Sequence, residues 1–166
     1  MVSNIQLKAL NEYKKHKFIA IPLIGKRPFF KNWTKLDHTS NDLTVFNNHN
    51  IGILTGKSSK ITILDIDVQN NGINHWNNIK KLYPTIITPT VKTISGGYHL
   101  YFKYNSKLSS TSKLRLNNKY IGWDILNDGR QAVAPPSINY KWIQSLDTPL
   151  AKMPTWLEYY ILLLKN

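Results

Sequence analysis

Two aspartates at the end of one apolar segment are the residues of this chain best suited to chemistry. Asp65 and Asp67 lie near the end of residues 61–68, ITILDIDV, whose other residues are all β-branched or leucine. This composition predicts a strand, and because side chains alternate along a strand, both carboxylates share one face. Adjacent like charges on a buried strand need compensation, and oxygen ligands suit Mg²⁺ or Mn²⁺. The alternative interpretation is a strand that runs into an acidic turn.

A second candidate is the segment TISGGYHLYF at residues 93–102. Ser95, Gly96 and Gly97 separate two strand patterns, and backbone amides exposed in such a turn can bind phosphate oxygens. His99 follows at the start of the next strand, where it could donate a hydrogen bond to a phosphate, ligate a metal or act as a base. A plain hairpin turn with a structural histidine explains the same residues.

A third acidic residue, Asp124, lies inside the strand pattern of residues 120–126. A carboxylate at such a position needs a partner, because burial penalises an isolated charge. Asp128 belongs to an Asp-Gly pair and is most simply a turn residue. The acids that lie at or inside apolar strand patterns are therefore Asp65, Asp67 and Asp124, three of the nine acidic residues in the chain.

The composition favours a nucleic-acid partner. The 166 residues carry 22 Lys and Arg against 9 Asp and Glu, a formal net charge of +13, and such a surface attracts polyanions. The absence of cysteine excludes disulfides and thiolate metal sites and fits a reducing compartment. The N-terminal sequence is too polar for a signal peptide, and no apolar run approaches the roughly 20 residues of a membrane span.

The elements that must position these residues mix helices with strands. Residues 105–118 are rich in Ser, Lys and Asn and are expected to form a mobile basic loop. The order of elements predicts an α/β or α+β class with a substantially antiparallel sheet, in a single domain over residues 1–166. Helices are expected at residues 4–17, 40–46, 73–82 and 153–164, and strands at residues 18–23, 50–55, 61–68, 90–94, 98–104, 120–126, 130–135 and 138–142.

The ordered set GKRP, NIGILTG, LDID, TISGGYHLYF and GWDI, followed by DG and VAPPS, resembles a known family. It is similar to the N-terminal primase-polymerase domain of the archaeo-eukaryotic primase superfamily, which occurs in replication proteins of phages, plasmids and large DNA viruses. The resemblance covers roughly residues 8 to 145, and its specificity comes from the order and spacing of all the motifs. It implies a small α/β unit packed against an RRM-like, largely antiparallel sheet, with the site in the cleft between them.

The resemblance also implies roles for particular residues. Asp65, Asp67 and Asp124 would be catalytic and hold two Mg²⁺ or Mn²⁺ ions, while Ser95 and His99 would hold the nucleotide triphosphate. Some relatives have Glu at the second acidic position, where this chain has Asp67, and the zinc element of some primases is absent here. Further nucleotide contacts are expected from Gly96, Gly97, Lys26, Arg27, Lys92, Asn50 and Gly52. Nucleic-acid contacts are expected from Lys31, Trp33, Lys103, Lys107, Lys113, Arg115 and Arg130.

The function predicted from these residues is template-directed nucleotidyl transfer, that is, DNA primase and DNA polymerase activity. Expected partners are a single-stranded DNA template with a primer, a dNTP or NTP, and a helicase domain or subunit of which this chain could be the N-terminal neighbour. An intracellular location is expected, in the cytoplasm or at replication sites of a virus or mobile element. Two alternatives remain open, a non-catalytic single-strand-binding module and a metal-dependent nuclease or relaxase.

Overall fold

The computed structural model of the protein describes residues 2–164. These residues form three helices and eleven strands, with short 3₁₀ turns at Trp33–Lys35, Leu43–Phe46 and Gln69–Asn71. The elements are α1 (Asn4–Lys15), β1 (Ala20–Ile24), β2 (Arg27–Pro28), β3 (Asn50–Leu54), β4 (Ile61–Ile66), α2 (Gly72–Lys80), β5 (Thr90–Lys92), β6 (Tyr98–Lys103), β7 (Arg115–Leu116), β8 (Lys119–Tyr120), β9 (Trp123–Leu126), β10 (Gln131–Ala134), β11 (Lys141–Gln144) and α3 (Thr155–Leu163).

The strands form two main sheets and one small hairpin. The first sheet has the order β10-β3-β1-β2, the second has the order β11-β5-β6-β4-β9, and β7 pairs with β8. All strand pairings within these sheets are antiparallel. The expected α+β class with a largely antiparallel sheet is therefore confirmed.

Strand β4 lies between β6 and β9 in the second sheet and is buried on both faces. On one face Ile61 and Ile63 pack into a core shared with the first sheet and α1. On the other face Leu64 and Ile66 pack into a second core, to which α2 and α3 contribute. The alternation predicted from ITILDIDV is therefore present, and Asp65 belongs to the face that is turned toward the first sheet.

Helices α2 and α3 both contribute large apolar side chains to the second core. Trp76 of α2 and Leu157 and Ile161 of α3 are buried there against Trp123 of β9. Pro154 precedes α3 as its N-cap residue, as expected from a proline that begins a helix. None of the helices in residues 2–164 is long and apolar enough to cross a membrane.

Two predicted elements are wrong. The helix expected at residues 40–46 is only a 3₁₀ turn, Leu43–Phe46, whose first residues are capped by the Asp42 carboxylate at 3.0 Å from the Thr44 amide. Its β-branched Thr44 and Val45 disfavour a longer helix, and Asn48 then takes a left-handed conformation with φ 58°. The strand expected at residues 138–142 begins only at Lys141, because a turn occupies the preceding residues.

The loop expected at residues 105–118 is anchored rather than free. Leu108 and Leu114 are buried in the second core. The Asn127 side chain donates hydrogen bonds to the carbonyls of Asn105 and Leu108, and Thr111 forms a bridge to β9. Two leucines in a polar, non-periodic segment gave no sequence signal for this packing. The segment is fixed beside β9 and so can contribute to the acidic site.

The strand expected at residues 120–126 is interrupted in the middle. Gly122 has φ +74°, and this left-handed residue separates β8 from β9. The remaining predicted elements are present with ends shifted by at most two residues, which is typical of element boundaries. Helix α1, for example, ends at Lys15 rather than at residue 17, and β1 begins at Ala20 rather than at residue 18.

Candidate active site

Three of the predicted site residues lie side by side across the second sheet. In the antiparallel register Asp65 of β4 is directly opposite His99 of β6 on one side and Asp124 of β9 on the other. Residues opposite one another in adjacent strands project from the same face, with Cβ atoms about 4.5–5.5 Å apart. Asp67 follows immediately after β4, and its N–H donates to the Gly122 carbonyl at 2.7 Å. Register thus brings together residues that are far apart in the sequence.

The Asp65 carboxyl is in an environment that disfavours its charge. Its side chain is 21% exposed, and its Oδ1 lies 3.5 Å from Nε2 of His99. Burial is the main cause that raises the Asp65 pKa to about 8, and the negative charges of Asp67 and Asp124 raise it further, whereas Lys26 acts in the opposite direction. Asp65 therefore retains a proton near neutral pH when no cation is present.

His99 is a neutral residue in this site. Burial lowers its pKa to about 4, and the positive charge of Lys26 lowers it further, while the backbone of Val133 partly offsets both effects. The Nδ1 atom is buried and has no hydrogen-bond partner of normal geometry among the residues that the structure describes. His99 can therefore donate or accept a hydrogen bond at neutral pH, but it cannot contribute a positive charge.

Tyr120 is a site residue that sequence reasoning missed. Its hydroxyl lies 3.1 Å from Oδ1 of Asp124 and 3.3 Å from Oδ2 of Asp67, so that it bridges the two carboxylates. The backbone N–H of Lys113 also donates to Oδ1 of Asp124, at 2.6 Å. Burial, followed by the charges of Asp124 and Asp67, raises the Tyr120 pKa, so the hydroxyl keeps its proton. The sequence signal that could have identified Tyr120 is its spacing, because it lies four residues before Asp124.

Tyr140 is a second residue that was missed. It is buried beside His99, with the two ring centroids 6.0 Å apart. Burial raises the Tyr140 pKa, an interaction with Lys26 lowers it, and Asp65 and Asp67 raise it by a smaller amount. Tyr140 thus lies within the electrostatic reach of both the basic and the acidic residues of the site. Its position in a turn before β11 gave no sign of this role in the sequence.

The Ser-Gly-Gly turn lies against the end of β4, next to Asp67. A Cβ atom at Gly97 would overlap the backbone carbonyl of Ile66, so only glycine permits this contact. Gly96 has φ +92°, and its N–H donates to the Thr93 carbonyl at 2.9 Å within the turn. Ser95 is exposed, and its Oγ lies 3.1 Å from the Thr93 hydroxyl. The predicted phosphate-binding turn and the predicted acids therefore share one end of the sheet.

A basic hairpin faces these residues. Lys26 is exposed in the turn between β1 and β2, and Arg27 is exposed at the start of β2. The charge of Lys26 reaches Asp65 and His99. The Asn50 side chain donates to the Gly25 carbonyl at 2.9 Å, and the Gln131 side chain donates to the Lys26 carbonyl at 2.9 Å. Asn50 thus supports the hairpin that carries the two basic side chains.

Two of the predicted nucleotide-binding residues are not brought to the acidic face. Gly52 is buried, and the Leu23 and Gln131 side chains occupy the space against it, which explains the glycine without a ligand. Lys92 is exposed and pairs with Tyr98, which in turn is opposite Ile66. This row projects from the face opposite to that of Asp65.

The predicted nucleic-acid-binding residues are spread over the surface. Lys113 and Arg115 lie nearest to the acids, in the segment that contacts Asp124. Lys107 forms an ion pair with Glu158 at 2.8 Å, and Lys103 is at the end of β6 remote from His99. Trp33 is half-buried against the first core. Lys31 and Arg130 are exposed, as are the other basic residues of the set.

The acidic residues are of a chemical type that binds divalent cations. Within residues 2–164 no group of three or more His, Asp or Glu side chains is arranged to hold a metal ion. Burial and the neighbouring carboxylates raise the pKa of Asp65, and Lys26 offsets only part of this effect. Carboxylate oxygens are the ligands that Mg²⁺ and Mn²⁺ prefer. In the arrangement described, the Tyr120 hydroxyl occupies the position between Asp67 and Asp124.

One of the comparisons with known proteins identifies the family of the chain. A search among curated proteins found no match. The family model described as "Bifunctional DNA primase/polymerase, N-terminal" matches residues 10–156, a range that contains the acids, the Ser-Gly-Gly turn and the basic hairpin. At the family level this implies nucleotidyl transfer of the primase and polymerase type, with DNA and nucleotides as substrates and with divalent metals as typical cofactors. The chain belongs to the family of bifunctional DNA primase/polymerase N-terminal domains.

Proposed function

We propose that this domain catalyses template-directed nucleotidyl transfer as a DNA primase and DNA polymerase, with Asp65, Asp67 and Asp124 at its centre. The observation that carries the proposal is the row of His99, Asp65 and Asp124 across three adjacent strands. This row lies on a protein with a formal net charge of +13, in which acids on strands are exceptional. Acids placed among so many basic residues serve a function that needs local negative charge.

In the proposed reaction the primer 3′-oxygen forms a bond to the α-phosphorus of the incoming nucleotide, and the bond to pyrophosphate breaks. Asp65, Asp67 and Asp124 would hold two divalent cations, Mg²⁺ or Mn²⁺. Such cations, when bound, lower the pKa of the attacking hydroxyl and balance the charge of the leaving pyrophosphate. Binding would require Asp65 to lose the proton that it holds in the cation-free protein.

The nucleotide triphosphate would lie between the Ser-Gly-Gly turn and the basic hairpin. Ser95 can donate its hydroxyl and backbone amide to phosphate oxygens, and Lys26 can supply the positive charge. His99 would act as a neutral hydrogen-bond donor, because its pKa is lowered to about 4. This role differs from charge neutralisation, which falls to Lys26 and Arg27.

The template and primer would bind along the basic surface. Lys113 and Arg115, next to Asp124, are best placed to contact phosphates near the reacting end. The partners proposed are single-stranded DNA with a primer and a dNTP or NTP. The helicase partner and the intracellular location stay predictions.

Two other functions are considered. A non-catalytic single-strand-binding module would use the same basic surface, but the three carboxylates would repel the strand if no cation were bound. A metal-dependent nuclease or relaxase would also use carboxylates and histidine on a sheet. The Ser-Gly-Gly turn beside Asp67 favours the polymerase, because a nuclease needs no site for a triphosphate.

One incubation separates these three functions. The protein is mixed with a 5′-labelled primer annealed to a template, the four dNTPs and Mn²⁺, and the products are resolved by length. Primer extension supports the proposal. Shortened products indicate a nuclease, and an unchanged primer that the protein retains on a filter indicates a binding module.

A further inference from the structure

A cavity lies beside the C-terminal end of α1, away from the acidic row. Its volume is about 410 Å³, within the range of about 300–1,000 Å³ that is typical of small-molecule sites. The buried side chains of Leu10, Phe18 and Ile19 form part of its lining. Lys60, at its edge, precedes β4, whereas Asp65 is near the end of that strand, about 16 Å away at the usual rise per residue. The cavity is therefore separate from the site proposed for nucleotidyl transfer.

Three lysines surround this apolar lining. Lys14, Lys17 and Lys60 line the cavity, and none of them forms an ion pair with a carboxylate among the described residues. The acidic residue of the lining, Asp37, is engaged by Nδ1 of His38 at 2.6 Å. Asn11, Asn41 and Ser58 add polar side chains to the same lining. The cavity thus combines an apolar interior with an excess of positive charge, since three lysines and one carboxylate line it.

Two of these lysines occupy backbone positions that normally favour glycine. Lys17 has φ 60° and follows the C-cap residue of α1, where the Phe18 N–H donates to the Tyr13 carbonyl at 2.8 Å. This is the position after a helix at which glycine is preferred. Lys60 has φ 55° in the turn that precedes β4.

Lysine is an unusual residue type at the left-handed positions of this chain. Within residues 2–164, ten non-glycine residues have positive φ, and seven of them are asparagine, which tolerates this conformation better than other residues. The three exceptions are Lys17, Lys60 and Lys113. Lys113 contacts Asp124 through its backbone, and the other two lysines line this cavity. Backbone strain retained at a cavity favours a functional role for the side chain that causes it.

We propose that this cavity binds a nucleoside 5′-phosphate, either a free nucleotide or the 5′ end of a nucleic-acid strand. The ammonium groups of Lys14, Lys17 and Lys60 would hold the phosphate oxygens. The base would lie over the apolar lining formed by Leu10, Phe18 and Ile19. The proposal does not depend on the acidic site, because none of its residues belongs to that site.

The test is a titration of the ¹⁵N-labelled protein with ADP in the presence of EDTA, followed by NMR. The expected result is a saturable shift of amide signals from residues 14–19, 37–41 and 58–60. The Lys17→Gly/Lys60→Gly double variant should weaken this binding by about tenfold or more, since two charge-assisted contacts are lost. Its melting temperature should equal or exceed that of the wild type, because glycine adopts positive φ without strain.

A second double variant controls for loss of net charge. Lys8→Ala/Lys152→Ala removes two exposed lysines outside the cavity lining and should leave ADP binding unchanged. The proposal is overturned if ADP leaves the cavity amides unshifted, or if both double variants bind ADP alike. It is also overturned if inorganic phosphate binds as tightly as ADP, because the nucleoside would then contribute nothing.

Short oligonucleotides distinguish the two sources of the ligand. A tetranucleotide with a 5′-phosphate is compared with the same sequence carrying a 5′-hydroxyl. Tighter binding of the phosphorylated strand than of ADP identifies a strand end as the ligand, and the reverse order identifies a free nucleotide. Primer extension by the Lys17→Gly/Lys60→Gly variant is measured in parallel, so that a failure of this proposal is distinguished from a failure of the proposed catalytic function.

Discussion

At the scale of single residues, the main electrostatic feature of the acidic site is the protonation state of Asp65. Its pKa is raised to about 8, so from about pH 4 to about pH 8 the folded protein binds a proton that the unfolded chain has lost. His99 has the opposite effect between about pH 4 and 6.5, because its pKa is lowered to about 4. As the pH rises toward about 6.5, the two residues change the free energy of unfolding in opposite directions. From about pH 6.5 to about pH 8 only Asp65 still changes it.

The cation-free protein should therefore lose stability as the pH rises from 6.5 to 8. The free energy of unfolding should fall by up to about 1.4 kcal/mol per pH unit, which is the limit for one proton. Urea unfolding in EDTA at both pH values measures this change, with Asp65→Asn as the control that lacks the titrating group. An equal pH dependence in the two proteins would show that Asp65 does not titrate in this range.

The Tyr120 hydroxyl positions two of the acids. Tyr120→Phe removes the hydrogen bonds to Asp67 and Asp124 and should reduce primer extension by about tenfold to a hundredfold, the usual effect of residues that orient metal ligands. The matched control is Tyr104→Phe, because Tyr104 donates to the Asp128 carboxylate at 3.0 Å outside the site. Mn²⁺ affinity, measured by calorimetry, should fall in the first variant only. Equal extension by both variants would contradict the positioning role.

At the scale of elements, a close contact of two glycines fixes the loop after β4. A Cβ atom at Gly122 would lie 2.8 Å from the Cα of Gly72, at the start of α2. The Gly122 carbonyl also accepts the hydrogen bond from the Asp67 N–H. The contact between β9 and α2 therefore determines where the Asp67 carboxylate lies.

Gly122→Ala should be far more destabilising than Gly129→Ala. Both glycines have similar left-handed conformations, φ +74° and +72°, but a Cβ atom at Gly129 meets no atom within 4 Å. Gly129→Ala should cost about 1–2 kcal/mol from backbone strain alone. Gly122→Ala adds steric overlap and should cost about 4 kcal/mol or more, as measured by urea unfolding. Similar losses in the two variants would show that the contact relaxes easily.

The sequence predicted β4 well because its alternation is strong, although the strand ends at Ile66 rather than at residue 68. It also placed Asp65 and Asp67 on one face, since this depends only on the period of a strand. It could not predict that His99 and Asp124 lie on either side of Asp65, because register depends on pairing between distant segments. For the same reason Tyr120 and Tyr140 were missed. Lys92 was expected near the acids, but the register places it on the opposite face of the sheet.

At the scale of the whole molecule, the positive charge should govern DNA binding. A formal net charge of +13 implies contacts with several phosphates, each of which releases counterions. Single-stranded DNA affinity, measured by fluorescence anisotropy between 50 and 200 mM salt, should fall by about thirtyfold or more, nearly independently of sequence. A flat response would show that the charge is not used for binding DNA.

The most direct test of the acidic site is primer extension by Asp65→Asn compared with Asp128→Asn. Both variants replace one carboxyl group by an amide of nearly the same shape, but Asp128 lies in an exposed turn outside the row. Asp65→Asn should keep its melting temperature near pH 7, because the Asp65 carboxyl is already uncharged in the cation-free protein and the amide has nearly the same shape.

Its extension rate should fall by about a hundredfold or more, because a ligand of the proposed cations is lost. Asp128→Asn should extend primers at the rate of the wild type. Near-normal extension by a folded Asp65→Asn protein would contradict the assignment of the acidic row as the catalytic site.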